Sequence, residues 1–209
     1  AGTVYYVIRG EGCSTQDNNV IEWRAGDLFC FPGAGKTVHQ AGARDSLLFL
    51  ATNEPLLSID RLSPPPPAEA VVEAVHWPAD EITRQFEPVL RRPITEKTSG
   101  HAVLFSSSAL GGSTNILPTV NCALNTLESG KDQRPHRHNG VAVTLCIRGQ
   151  GVYSQIDDQR VDWIDFGVQI TPPAALHSHH NRGPERMECL IFQDEALHYY
   201  TRTPGFSWT

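Results

Sequence analysis

Three histidines carry the most concentrated chemistry in the chain. Pro135-His-Arg-His138 sets His136 and His138 two apart, and His177 ends the run Pro172-Pro-Ala-Ala-Leu-His177, 177 − 138 = 39 residues later. On an extended strand alternate side chains share a face, so His136 and His138 point one way and Arg137 the other. Two imidazoles on one face can grip a single ion. A third, arriving after a glycine turn and two further strands, completes a set of three neutral nitrogen donors. Such a set suits zinc, copper, iron or nickel and leaves coordination positions open. An HxH pair by itself equally describes a polar strand face in solvent; the placing of His177 is what argues for a metal.

The elements that must position these side chains read as short strands. Gly 17 and Pro 15 punctuate runs rich in Val, Ile, Leu, Thr and Tyr, the texture of an all-β protein. In the first part of the chain, strands are expected at 3–8, 20–23, 28–31 and 46–52. Pro64-Pro-Pro-Pro67 marks a linker, because prolines neither donate to a sheet ladder nor continue a helix. Beyond it, 80–86 reads as a short amphipathic helix through Ile82 and Phe86, stopped before Pro88. From about His101 the β texture returns and persists.

Within this texture the chain repeats itself. Val4-Tyr-Tyr-Val-Ile-Arg-Gly-Glu-Gly12 lies over Val143-Thr-Leu-Cys-Ile-Arg-Gly-Gln-Gly151, an offset of 143 − 4 = 139. Val20-Ile-Glu-Trp23 lies over Arg160-Val-Asp-Trp163, and Pro32 over Pro172, at 172 − 32 = 140. Allowing two extra residues in the first copy matches His39 to His177, and Leu47-Leu-Phe-Leu50 then matches Cys189-Leu-Ile-Phe192. One sheet module thus occurs twice. Residue 1 falls after the point where the first module's HxH would lie, so that module is expected to be truncated at its N-terminal side and to lack a complete metal site. A permuted protein whose entry strands come from a neighbour is the alternative.

Composition removes several function classes. Over 209 residues, Lys+Arg 17 against Asp+Glu 23 gives a net charge of −6, the opposite of a nucleic-acid footprint. The longest apolar stretches, such as 47–51, fall far short of the roughly 20 residues that span a bilayer, and no basic-then-apolar leader opens the chain. A cytoplasmic protein without membrane partners is expected. The five cysteines contain no CxxC pair and read as reduced, small core residues.

These residues together resemble the cupin superfamily, specifically its two-cupin (bicupin) ring-cleaving dioxygenases of the gentisate, 1-hydroxy-2-naphthoate and salicylate type. The resemblance is carried by Pro135-His-Arg-His138, the turn Arg148-Gly-Gln-Gly151, the strand end Ile170-Thr-Pro-Pro173, Leu176-His-Ser-His179-His-Asn181, and the lead-in from Leu117-Pro-Thr to Leu127-Glu-Ser-Gly130. It implies two double-stranded β-helix (jelly-roll) barrels: a partial cupin barrel over 1–62, a Pro-rich and partly helical linker over 63–94, and a metal-binding barrel over 95–209. It also implies a gentisate 1,2-dioxygenase-like, extradiol-type cleavage of a hydroxylated aromatic acid by dioxygen. The metal would be Fe(II), with zinc, nickel and manganese as alternatives, on His136, His138 and His177. His179 is implied as a group beside the site.

Many cupins add a carboxylate ligand four or five residues after the second histidine, where this chain has Ala142 and Val143; the set therefore stays at three histidines. Gentisate-type enzymes also carry a Gln two residues past the HxH and an Arg six past it, where Gly140 and Thr144 stand. Thr144 joins His179 as a catalytic candidate. Without that arginine the pocket is expected to disfavour small acids and, with Gly140 opening volume, to accept a bulkier or less anionic ring. Arg148, Arg160 or Arg182 would have to reach in to supply a cation. Two other functions fit the same ligands: a non-oxygenase metal cupin acting as isomerase or hydrolase, and a small-molecule sensor. Open sheet edges on the short first module favour a homo-oligomer.

Overall fold

The chain opens with a run of buried residues, Val4–Val7, which lies in a strand paired on both sides. The structure, a computed structural model, describes residues 1–95, 98, 100–110 and 113–209. It divides into two units, Ala1–Gln85 with Ser106–Pro118, and Phe86–Phe105 with Thr119–Thr209.

In chain order the first elements are β1 (Gly2–Arg9), β2 (Glu11–Gln16), β3 (Asn19–Arg24), β4 (Leu28–Pro32), β5 (Thr37–Ala41), β6 (Leu47–Thr52), α1 (Glu54–Ile59), β7 (Val75–Trp77) and α2 (Ala79–Leu90). β1 pairs antiparallel with β4 and β6, and β2 with β3 and β5. Tyr5, Val7, Ile21, Trp23, Phe29 and Phe31 from the two sheets form this unit's core. The turn before β2 needs Gly10, at φ +89, where an added Cβ would also come within 2.8 Å of the Asp45 carbonyl oxygen.

Within 63–94, Val75–Trp77, with two good strand formers, pairs with β4. One expectation is corrected here: α2 does not stop before Pro88 but carries it inside the helix. The pyrrolidine removes one donor, and only Val89 and Leu90, less than one turn, lie beyond it in the helix.

The remaining elements are β8 (His101–Phe105), β9 (Asn115–Leu117, in the first unit), β10 (Val120–Leu127), β11 (His136–His138), β12 (Ala142–Arg148), β13 (Val152–Ile156), β14 (Gln159–Asp162), β15 (Val168–Thr171), β16 (His177–Asn181), β17 (Met187–Gln193), α3 (Ala196–Thr201) and β18 (Phe206–Trp208). The second unit has one sheet ordered β15-β12-β17-β10-β8 and another ordered β14-β13-β16-β11-β18. β17 lies between β10 and β12, and Cys189–Phe192 is a continuous buried run rather than an alternating one, the pattern of a strand covered on both faces. Leu127, Ala142, Cys146, Val152, Trp163, Met187, Cys189 and Ile191 fill the interior.

The repeat is visible in the pairing. β1 sits between β4 and β6 as β12 sits between β15 and β17, and each ladder shifts register at the same place, Val7/Arg9 and Cys146/Arg148. The alignment of His39 is corrected, however. Ser14 pairs with His39 across β2 and β5, and Ser154 pairs with His179 across β13 and β16. The offset is 179 − 39 = 140 with no extra residues, so the partner of His39 is His179, and Thr37 stands where His177 does. Among the described residues β5 and β6 each end their sheet. All five cysteines are free, and burial pushes the Cys30 thiol up to about 12. No helix of the described residues is long and apolar enough to cross a membrane.

Candidate metal centre

β11 is three residues long and alternates buried, exposed, buried. His136 and His138 face the interior at 5% and 3% exposure, while Arg137 turns outward and donates to the Ala174 carbonyl. His177 begins β16, directly opposite His136 in the ladder. The three side chains converge, one ligand atom from each lying within 4.8 Å of the others.

Their backs decide which nitrogen is available. His136 Nδ1 meets the Arg134 carbonyl at 3.0 Å, His138 Nδ1 the Gly140 carbonyl at 2.7 Å, and His177 Nδ1 the Ala175 carbonyl at 3.0 Å. A carbonyl oxygen only accepts, so each Nδ1 carries the hydrogen and each Nε2 is a bare lone pair. Each acceptor lies only two residues from its histidine, so the local chain path sets the tautomer. Burial holds all three imidazoles below their ordinary range; for His177, with the neighbouring His136 adding to the effect, the value falls to about 4. Three neutral nitrogen donors, oriented before any ion arrives, fit a divalent transition metal.

His179 is brought to the same cavity but prepared differently. Trp163 Nε1 donates to Ser154 Oγ at 2.8 Å, and that hydroxyl lies 2.8 Å from His179 Nδ1. Ser154 is fully buried, so its own hydrogen is satisfied only by donation to Nδ1. His179 then keeps its hydrogen on Nε2, the opposite tautomer from the three converging histidines. Burial, then the neighbouring imidazoles, lower it to about 3. It supplies a neutral N–H rather than a ligand lone pair.

A cavity of about 220 Å³ adjoins the histidines. Thr144, Thr171, Asn121, Asn125, Gln133, Gln193 and Glu195 give it polar walls, and Leu104, Ala123, Ala142, Ile191 and Phe206 apolar ones. Thr144, 1% exposed, therefore does face the site. Among the described residues no Lys or Arg lines it. Arg148 meets Glu185 and Glu188, Arg160 lies over the Tyr153 ring and pairs with Asp162, and Arg182 pairs with Asp132. The volume expected at Gly140 is also not there: an added Cβ would come 2.8 Å from Glu195 Cγ and 2.8 Å from Asp194 Oδ1. That space is filled by the start of α3.

Two of the lining residues that the sequence reading did not single out bear on the chemistry. Phe206 belongs to β18, which pairs with the outer edge of β11, and its ring stacks on His136 at 4.8 Å; three residues are too few to show a strand pattern in the sequence. Glu195 has an Oε1 that is buried without a hydrogen-bond partner. It lies 3.6 Å from His138 Nδ1, and burial pushes its carboxyl up to about 7.

Residues 123–192 match the model of the cupin domain family. A gentisate 1,2-dioxygenase of Streptomyces sp is 26% identical over 144 residues, 66% of this chain and 39% of that protein. A 5-aminosalicylate 1,2-dioxygenase of Comamonas sp is 35% identical over 57 residues, 27% of this chain and 15% of that protein. The matched parts thus span well under half the length of these relatives. The salicylate 1,2-dioxygenase structure from Pseudaminobacter salicylatoxidans superposes with a TM-score of 0.82 at 13% identity, covering 99% of this chain and 69% of that one. With its converging histidines on the strands that frame the cavity, the segment 123–192 matches the cupin domain family, and the chain has the two-cupin fold of the salicylate 1,2-dioxygenase structure.

Proposed function

We propose that His136, His138 and His177 hold one divalent metal, ferrous iron in the working protein, and that this site opens the ring of a hydroxylated aromatic acid with dioxygen. The observation that carries the metal reading is the locking of all three Nδ1 hydrogens onto main-chain carbonyls, which leaves three Nε2 lone pairs together. The names of the relatives support ring cleavage. A bound ferrous ion would supply a Lewis-acidic, redox-active centre with positions left for oxygen donors.

The rest falls to the chain's own residues. His179 presents its Nε2 hydrogen to the cavity and, held neutral by burial, gives a hydrogen bond to a substrate oxygen at neutral pH. Thr144 offers a small uncharged contact from β12. Phe206, Leu104 and Ile191 form apolar walls against which a flat ring can lie. About 220 Å³ is below the roughly 300–1,000 Å³ of pockets that take drug-sized ligands, so one ring is favoured over a bulkier substrate. The cytoplasm and a homo-oligomer joined through the open edges of β5 and β6 complete the proposal.

The test is metal removal, anaerobic reloading with ferrous iron, and oxygen uptake with salicylate, gentisate, 5-aminosalicylate and 1-hydroxy-2-naphthoate. Uptake accompanied by a ring-opened product and lost in His138→Ala is expected. Uptake with none of these by iron-loaded protein would overturn ring cleavage; activity restored by zinc and never by iron would overturn the choice of metal.

A further inference from the structure

Glu195 is the one carboxylate among the described residues that line the cavity, and none of these residues is a Lys or Arg. Its Oε1 is buried with no hydrogen-bond partner. Its side chain does not cap α3, although Glu195 is the N-cap residue of that helix. His138 Nδ1 is 3.6 Å away, beyond hydrogen-bond range, and already spends its hydrogen on the Gly140 carbonyl. Buried acceptors are almost always paired, so an acceptor left unspent inside a ligand-sized cavity calls for a donor that enters with the ligand.

Gly140 explains how the carboxylate gets there. A Cβ at 140 would meet Glu195 Cγ at 2.8 Å, closer than real Cβ contacts run, and Glu195 N at a tight 3.1 Å, so with a side chain at 140 the Glu195 side chain must leave this placement. The bare position on β11's exit is the room in which Glu195 turns toward the cavity.

We propose that Glu195, admitted by Gly140, is a specificity-determining residue that accepts a hydrogen bond from a ring substituent bearing N–H or O–H. This inference rests on the proposal that the site takes a hydroxylated aromatic ring. In either protonation state a carboxyl group keeps an accepting oxygen. The site then selects a ring carrying a second donor, amino or hydroxyl, over the same ring without one.

The test is calorimetric binding of three probes to anaerobic, iron-loaded protein, where no turnover occurs: salicylate, its 5-hydroxy derivative and its 5-amino derivative. The unmodified protein should bind at least one donor-bearing probe about tenfold to a hundredfold more tightly than salicylate, the range for a hydrogen bond to a charged group. Glu195→Met, similar in size but without the acceptor, should bring that ratio to within about twofold. Gly140→Ala, which displaces Glu195 without deleting it, should lower the ratio with one iron still bound per chain. A ratio that survives both substitutions while iron is retained overturns the inference and leaves the function standing. Failure of every probe to bind the unmodified, iron-loaded protein overturns both.

Discussion

The two units contain the same three-residue network in different surroundings, and this makes a sharp stability prediction. In the first, Trp23 Nε1 donates to Ser14 Oγ at 2.7 Å and that hydroxyl lies 2.6 Å from His39 Nδ1. In the second, Trp163, Ser154 and His179 repeat the arrangement at 2.8 Å and 2.8 Å. Both serines are 0% exposed and both indoles are buried, but His39 is exposed whereas His179 is 3% exposed. Ser14→Ala therefore strands one buried group, the Trp23 N–H, because water can reach His39. Ser154→Ala strands two, the Trp163 N–H and His179 Nδ1. At about 1–3 kcal/mol for each buried orphan, Ser14→Ala should cost about 1–3 kcal/mol and Ser154→Ala about 2–6. Urea unfolding followed by tryptophan fluorescence measures both, and nitrogen-15 chemical shifts of the His179 ring report the tautomer directly. Equal costs, a larger cost for Ser14→Ala, or a hydrogen found on His179 Nδ1 would refute the network argument.

Other outcomes follow from the same geometry. His138→Ala should abolish metal retention, measured by elemental analysis, while Arg137→Ala, whose side chain faces outward, should retain one metal per chain. The metal-free protein should lose stability as pH falls. His177, 4% exposed, has a folded value of about 4 against an ordinary 6.5, so the unfolded chain takes its proton first. Its contribution, about 3 kcal/mol, is complete above pH 6.5 and disappears progressively down to about pH 4; a urea midpoint unchanged between pH 7.5 and 5 would contradict this. Thr144→Arg should tighten binding of ring carboxylates about tenfold or more in calorimetry. Light scattering should show a homo-oligomer, and a monomer would remove the role given to the edges of β5 and β6.

What could be read from the sequence was whatever depends on short-range arithmetic. The shared face of His136 and His138, the outward turn of Arg137 and the twice-used module all follow from strand alternation and offsets of 139 and 140. What could not be read depends on partners distant in the chain. β7 and β18 are three residues each, too short for a pattern of their own, and exist because β4 and β11 offer an edge. Glu195 precedes a helix, where a carboxylate reads as an ordinary cap; only the absence of a side chain at Gly140, on a separate strand connection, brings it to the cavity. Pro88 shows the converse error, a local rule outweighed by the helix around it.

The mismatch at His39 teaches most about why, among the described residues, only one unit assembles three histidine ligands. His177 and His179 stand two apart on β16, on one face, yet their backs rest on different acceptors: a main-chain carbonyl behind the first, a serine hydroxyl behind the second. The carbonyl forces the hydrogen onto Nδ1 and leaves Nε2 bare; the hydroxyl, committed by its tryptophan, forces the reverse. The first unit keeps the hydroxyl-backed position as His39 and has Thr37 at the carbonyl-backed one. A second HxH strand brought to the edge of β5 would therefore still find a hydrogen-bond donor at His39 and a hydroxyl at Thr37, with two imidazole lone pairs where the second unit gathers three. The difference between a binding module and a structural copy of it comes down to which atom stands behind each imidazole, and whether an imidazole is there at all.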